Sequence, residues 1–523
     1  MKKLFNRLLL TGLVCISSQT RTLPGSWTPV TNAPPVTGTF PGLGFPHLMT
    51  DGTVIAQQYN NDIGTGLMWK LTPDNTGSYV NGTWSSIASL PIISTVQYAP
   101  LYHASAVLPD GRLLFIGGQY NGSAQQVWTN LGAIYNPVAN SWTSVTAPSF
   151  FSPNIGDACS TVLQNGTFML ADPFYMLTSP PDAAAALFDA SALTWTQTGS
   201  LKSDSNNQEG WTLLPNGEVL TVDVYVGVTP YPSNPTNSEI YNPSTGNWST
   251  AGSTVHSLTD PVNFQIGPAI LMPNGKVFAV GDDGNTSIYN SSTGVWTLGP
   301  TLPMGPGGEG QLGCMDAPAA LLPDGNVLLA ASPINTVYNP PTYFYEFDGS
   351  AFTLTATTTN APNVASFNFG MIALPNGQIL SMDTSTDVEV YTPVNSTPNA
   401  AWAPTIFCTP KKVRLGKSYQ VTGVLFNGMS QASMYGDDYQ AATNYPLVRI
   451  TNNATGHVFY CRTHDHINTT TGLPFMGVAA TNVKVSTTFD IPATVELGQS
   501  TIEVIANGIP SQPVCVYVAP ATC

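Results

Sequence analysis

This chain carries little charge. Only 9% of its 523 residues are Asp, Glu, Lys or Arg, and 15 basic residues stand against 30 acidic ones. With a formal charge of −15 no basic face can assemble, which excludes nucleic acid and anionic membrane surfaces as partners. Histidine (6) and cysteine (7) are also scarce, and no two cysteines form a Cys-x-x-Cys pair, so a zinc knuckle is not supported. Glycine-rich phosphate loops, G-x-S-x-G elbows and H-E-x-x-H helices are missing. No apolar run beyond the N-terminus reaches the roughly 18–20 residues that span a bilayer, so no membrane anchor is expected.

Turn formers, by contrast, are plentiful, with 47 Gly and 44 Pro. At the N-terminus Lys2, Lys3 and Arg7 precede the apolar run Leu8–Ile16 and then small polar residues. That is the pattern of a secretory signal, assigned to residues 1–18. It predicts a secreted, extracellular or cell-surface protein. Of the cysteines beyond it, Cys408, Cys461, Cys515 and Cys523 cluster near the C-terminus, where one or two disulfides are expected in an oxidising compartment.

Seven copies of one unit fill residues 25–400. Each has two short apolar runs around an Asp-Gly or Asn-Gly turn, as in HASAVLPDGRLLFIGG (103–118) and GWTLLPNGEVLTVD (210–223). The turn glycines are Gly52, Gly111, Gly166, Gly217, Gly275, Gly325 and Gly377, placed as in tight hairpins that need positive φ. A second half follows, such as GAIYNPVANSWT (132–143) or SEIYNPSTGNWS (238–249), with Trp or Phe opening a fourth strand. Four strands in a repeat of about 50 residues bury both faces by packing radially, which predicts an all-β, seven-bladed kelch-type propeller. A stacked sandwich or β-helix fits that period less well. The segment GSWTPV (25–30) would complete the last blade. From about residue 401 the turn signal stops, and alternating runs such as KSYQVTGVLF (417–426) and STIEVIAN (500–507) read as an immunoglobulin-like β-sandwich over 401–523.

The turns LPDGRLLFIGG (108–118) and LPNG (214–217, 374–377), with SYQVTGVLFNG (418–428) and NYPLVRI (444–450) in the tail, resemble the galactose oxidase and glyoxal oxidase family. More closely still, the chain looks like secreted bacterial kelch-repeat proteins with no assigned activity. The resemblance implies the same two-domain architecture and a copper site. That site uses a tyrosine cross-linked to a cysteine, a Tyr-His pair opening the last blade, and a histidine from a C-terminal loop. At the matching positions this chain has NFGM (368–371) and MYGDDYQAATNY (434–445), without histidine. Its one Tyr-His pair, Tyr102-His103, opens blade two; Cys159 opens the blade after, where GDAC (156–159) stands in place of the tyrosine. The copper site does not transfer.

Residues just before each blade's first strand should line one mouth of the axial channel. These are Tyr102, His103, Asp157, Glu209, Gln265, Asp316 and Asn368, a candidate site for a cation, a sugar or a peptide. In CRTHDHINTTTG (461–472) His464 and His466 should share a strand face, and with Asp437 or Asp438 nearby could hold Zn²⁺ or Cu²⁺. No cofactor is required; copper or calcium are the ions such residues would take. Aromatic residues in a charge-poor secreted propeller suit carbohydrate or protein surfaces. The sequence thus points to a non-catalytic module binding an extracellular glycan or protein. Two alternatives are a copper-radical oxidase with a rearranged site at Tyr102 and His103, and a carbohydrate-active hydrolase or lyase. The last would need carboxylates such as Asp157 and Asp316 to stand roughly 5–9 Å apart.

Overall fold

Each Asp-Gly or Asn-Gly turn is built the same way. In the second repeat the Gly111 amide donates to the Leu108 carbonyl (2.8 Å) and Leu108 bonds back to Arg112 (2.8 Å). Gly111 takes the left-handed φ of +80°, as do the other six turn glycines between +75° and +92°. The preceding Asp or Asn has another task. Its side-chain oxygen accepts the amide two residues on, as Asp110 does from Arg112 (3.0 Å) and Asn376 from Gln378 (3.2 Å). Such side-chain caps fix the register of the hairpin.

The chain is seen in a computed structural model that describes residues 25–522, apart from 152–153, 175–183, 227–234, 261, 336–337 and 395. The signal assigned to residues 1–18 lies outside the described residues. Every repeat forms an antiparallel four-stranded meander, which in repeat six is extended to a six-stranded sheet. In repeat two the strands are Ala104–Val107, Leu113–Ile116, Gly132–Asn136 and Ser141–Ser144. Repeat seven borrows its outer strand from the N-terminal end: Gly25–Pro29 pairs with Val388–Pro393, with Trp27 opposite Tyr391. The two ends of the repeat region are thereby tied together.

Inner strands of successive repeats adjoin from Ala104–Val107 through Gly370–Ala373 and on to Pro41–Leu48. His47 then bonds Ser105 (2.9 Å), joining the first repeat to the second. The result is a β-propeller, its core lying between the sheets. The fourth-strand tryptophans bind one repeat to another: the Trp142 indole donates to Ala88 (2.8 Å), Trp195 to Thr146 (2.7 Å) and Trp296 to Ser238 (2.9 Å). Trp248 and Trp296 are buried, whereas Trp142 and Trp195 are half-buried.

The C-terminal region forms two further sheets. One joins Thr405–Cys408, Ser418–Val424, Val485–Asp490 and Thr463–Asn468; the other centres on Gly498–Ala506, between Leu447–Asn452 and Val514–Ala519. Val421, Val448, Ile450, Phe489, Ile502 and Val516 fill the space between them. The five described cysteines, Cys159, Cys314, Cys408, Cys461 and Cys515, are unpaired, which corrects the disulfide expectation for them. Cys461 points into the sandwich core, while Cys408 and Cys515 sit exposed on different sheets. Cys523 lies outside the described residues.

This region packs on the hairpin-turn end of the propeller, where Arg462 donates to the Asp110 carbonyl (2.6 Å). From there residues 430–445 run up the axis as a plug. Ser433–Met434 adds a strand to Ala319–Leu321 of repeat six. Gln431 accepts from the Leu213 amide (2.8 Å) and donates to Thr161 (3.0 Å); Gln440 donates to the Ser160 carbonyl (3.0 Å). The Tyr439 hydroxyl donates to Pro46, and that of Tyr445 to Leu48. Gly436 is required where the plug is tightest, since a Cβ there would stand 2.7 Å from both Asp316 Cα and the Ile266 oxygen.

Candidate functional site

At the end of the axis away from the hairpin turns, one residue in each of six repeats takes a left-handed conformation. These are Phe45, Tyr102, Asp157, Gln208, Phe264 and Asp316, with φ between +43° and +63°. Such backbone is costly for any residue but glycine, by roughly 1–2 kcal/mol each. It recurs because it swings the chain from the mouth into the inner strand. In repeats two and four the left-handed residue, Tyr102 or Gln208, lines the axial cavity and the next one does not; in repeat five Gln265, after Phe264, does.

This cavity lies at that end, has a volume of about 270 Å³ and is lined by Tyr102, Asp157, Gln208 and Asp316 of these six. Its lining holds three carboxylates, Asp157, Asp316 and Asp437, and three carboxamides, Gln119, Gln208 and Gln265. Aromatic rings stand above them: Tyr102 meets Tyr120 edge-on at 6.0 Å, and Tyr338 meets Phe367 at 4.9 Å. Tyr338 is exposed, so this pair forms the rim. The Gln208 amide donates to Asp157 (3.3 Å) and the Gln265 amide to the Asn263 carbonyl (3.2 Å). Both carboxamide oxygens, together with Asp316 Oδ1, are buried without a hydrogen-bond partner.

Asp437 and Asp438 arrive on the plug. Asp438 is fully buried and neither of its oxygens meets a donor. Burial and the neighbouring carboxylates push Asp157, Asp316 and Asp438 well above the ordinary carboxylate range, and burial raises Asp437. Groups so placed must share protons or take up a cation.

Of the mouth residues expected from the sequence, Tyr102, Asp157, Gln265 and Asp316 come together here. His103, Glu209 and Asn368 do not line the cavity; their predecessors Tyr102, Gln208 and Phe367 do. The left-handed turn at Tyr102 sends His103 into the core, edge-on to Phe115 at 4.4 Å with both ring nitrogens unpartnered. Burial lowers its pKa to about 3.

Glu209 belongs to a second buried cluster. Lys202 Nζ bonds Asp204, lies 3.2 Å from Glu209 and 2.8 Å from Glu239, and has Asp223 at 3.7 Å. Burial alone would lower the Lys202 pKa, but the four carboxylates hold it well above the usual lysine value. Asp204, Asp223 and Glu239 are the one described trio of acidic, His or Cys side chains whose ligand atoms all lie within 4.8 Å of one another. The lysine ammonium already stands among them.

His464 and His466 share the strand Thr463–Asn468, but its register shifts between His464 and Ile467 and Asp465 is left-handed. The two imidazoles therefore part. His464 bonds Asp465 (2.6 Å) and Asp490 (3.3 Å), while His466 is buried against Thr487 (2.7 Å). Asp437 and Asp438, placed beside them by the sequence reading, are at the axis instead. Copper, implied by the resemblance, does not fit the axial residues. His103 is turned away, the plug brings carboxylates in place of an imidazole, and Cys159 is buried against the Asn206 carbonyl (3.8 Å).

Fold and site together define a β-propeller whose axis is blocked by its own C-terminal region and ends in an acidic cavity. No protein-family model matches the chain, and no curated protein does. Among solved structures, it is similar to the extracellular domain of the putative hybrid two-component system BT3049 from B. thetaiotaomicron. The identity is 10% and the TM-score 0.43, over 95% of this chain and 58% of that one. The chain thus spans little more than half of that domain's length. It is also similar to the WD40 β-propeller domain of Doa1, at 11% identity and TM-score 0.41, over 71% of this chain and 98% of that one. Neither likeness bears on what the cavity binds. No described helix is long and apolar enough to cross a membrane.

Proposed function

We propose that the chain is an extracellular binding module, a seven-bladed kelch-type propeller of galactose oxidase-like architecture with an immunoglobulin-like tail, which holds one unit of a glycan in its axial cavity without chemical turnover. The observation that carries this reading is the convergence of carboxylates and carboxamides from five repeats and the plug beside a rim of aromatic rings. Sugar hydroxyls donate to oxygens of this kind, and the apolar face of a sugar ring stacks on tyrosine. At about 270 Å³ the cavity falls below the roughly 300–1,000 Å³ of drug-sized pockets, so its occupant is one small unit. That favours a glycan over a protein surface. The extracellular setting rests on the N-terminal signal pattern.

A glycan array probed with the labelled full chain tests the proposal. Binding should be confined to a few related glycans and should be lost in both Asp437→Asn and Tyr338→Ala. A blank array, or binding that survives both substitutions, overturns it.

A further inference from the structure

The two buried acidic clusters differ in one respect that has a chemical consequence. Around Lys202 the protein supplies its own cation; at the axis it supplies none. Among the described residues no lysine, arginine or histidine lines the axial cavity, and the groups set against Asp157, Asp316 and Asp438 are other carboxylates, one glutamine and the tyrosines Tyr102, Tyr338 and Tyr435. Three carboxylates there are joined by two carboxamide oxygens that have no partner, on residues at least nine-tenths buried. An uncompensated group of this kind is expensive to bury.

We propose that the axial cavity is a calcium site. Asp157, Asp316 and Asp437 supply charged ligands, Gln208 and Gln265 supply neutral ones, and hydroxyls of the bound glycan complete the shell. The last part rests on the binding reading above; the metal site does not. The donor set is oxygen throughout, which selects a hard cation over zinc or copper. The roomy cavity of about 270 Å³ favours the larger hard cation. The axial carboxylates do not stand in a trio within 4.8 Å as Asp204, Asp223 and Glu239 do, so an ion here must draw them inward or leave part of its shell to the carboxamides, water and ligand. Calcium tolerates such a shell, taking six to eight oxygens at about 2.3–2.6 Å and filling gaps with water or ligand oxygen. Magnesium demands a compact octahedron near 2.0–2.1 Å. Asp438, next to Asp437 on the plug, does not reach the cavity lining.

The test titrates the full chain, stripped with EGTA, with Ca²⁺ by calorimetry and with Tb³⁺ by tyrosine-sensitised luminescence. The rim tyrosines Tyr102 and Tyr338 serve as antennae. One ion should bind per chain. Asp316→Asn and the near-isosteric Gln265→Met should each weaken binding by more than about tenfold, while Glu239→Gln in the lysine cluster changes it less than about twofold. No binding, or binding lost in Glu239→Gln and kept in the axial variants, overturns the metal site. Repeating the glycan array in EGTA separates the two readings. Glycan binding that needs calcium supports the coordination of hydroxyls, and equal binding in EGTA overturns it while leaving the glycan reading intact. Stoichiometric calcium with a blank array removes the glycan reading and the hydroxyl ligands but leaves the metal site standing.

Discussion

The lysine cluster of repeat four and the axial cluster are each built from buried carboxylates, yet the first is closed and the second open. Lys202 touches or nearly touches all four acids around it, and its side chain and those of its partners are at most 4% exposed. No space is left for a ligand. The axial acids border a cavity and have no cationic partner among the described residues. Burial with an internal counter-ion makes structure; burial without one, beside a cavity, makes a binding site.

The largest expected effect tests the closed cluster. Lys202→Met leaves four buried acids without their cation and should destabilise the fold by about 3–5 kcal/mol, read as a lower midpoint in denaturant. If the midpoint stays put, the two clusters do not differ as claimed.

Calcium tests the open one. At a concentration near one hundred times its Kd it should stabilise the protein by about 2.7 kcal/mol, seen as a higher melting temperature. The sign of the pH dependence follows from the raised carboxyls. Asp157, Asp316 and Asp438 hold protons in the folded state at pH values where the unfolded chain, with its ordinary value of 3.8, has released them. Their stabilising contribution is therefore full below about pH 4 and falls as pH rises toward the folded values. Calcium should accordingly stabilise strongly at pH 7.5 and weakly at pH 5, where protons compete for the same oxygens. A calcium effect that does not change with pH would contradict this.

Asp316→Asn should be nearly harmless in EGTA at neutral pH, or stabilising by about 1 kcal/mol through relief of repulsion, in contrast to Lys202→Met. A loss above about 2 kcal/mol would show that the axial acids are structural. The smallest effect concerns the histidine turned away from the site. His103→Phe replaces two unpartnered ring nitrogens with carbon, so stability should hold or rise by about 0.5–1 kcal/mol, and calcium affinity should not change. Loss of calcium binding would return His103 to the site.

Much of the fold is legible in the sequence because it repeats. Seven turns carry the same Asp/Asn-Gly pair, and Trp27 lies in a segment that matches the fourth strand of other repeats. The axial site is only half legible, for a reason one residue wide. Alignment on the turn glycines picks out Asp157 and Asp316, which line the cavity. In repeats two and four, the left-handed residue is Tyr102 or Gln208, one position earlier than His103 or Glu209. Nothing local to those side chains announces this.

The plug was hidden for another reason, since its partners lie hundreds of residues away. A signal was nonetheless present: FNGMSQASMYGDDYQAATNY (426–445) is too long and too regularly uncharged, two aspartates apart, for an ordinary sandwich loop. The lysine cluster is likewise assembled from Lys202 to Glu239 by sheet pairing, which spacing alone does not show.

Anomalous diffraction from crystals of the full chain grown with terbium tests the central claim most directly. One strong peak is expected on the propeller axis, among the oxygens of Asp157, Asp316 and Asp437. A map with no axial peak, or with the ion seated among Asp204, Asp223 and Glu239 in place of the Lys202 ammonium, would contradict it.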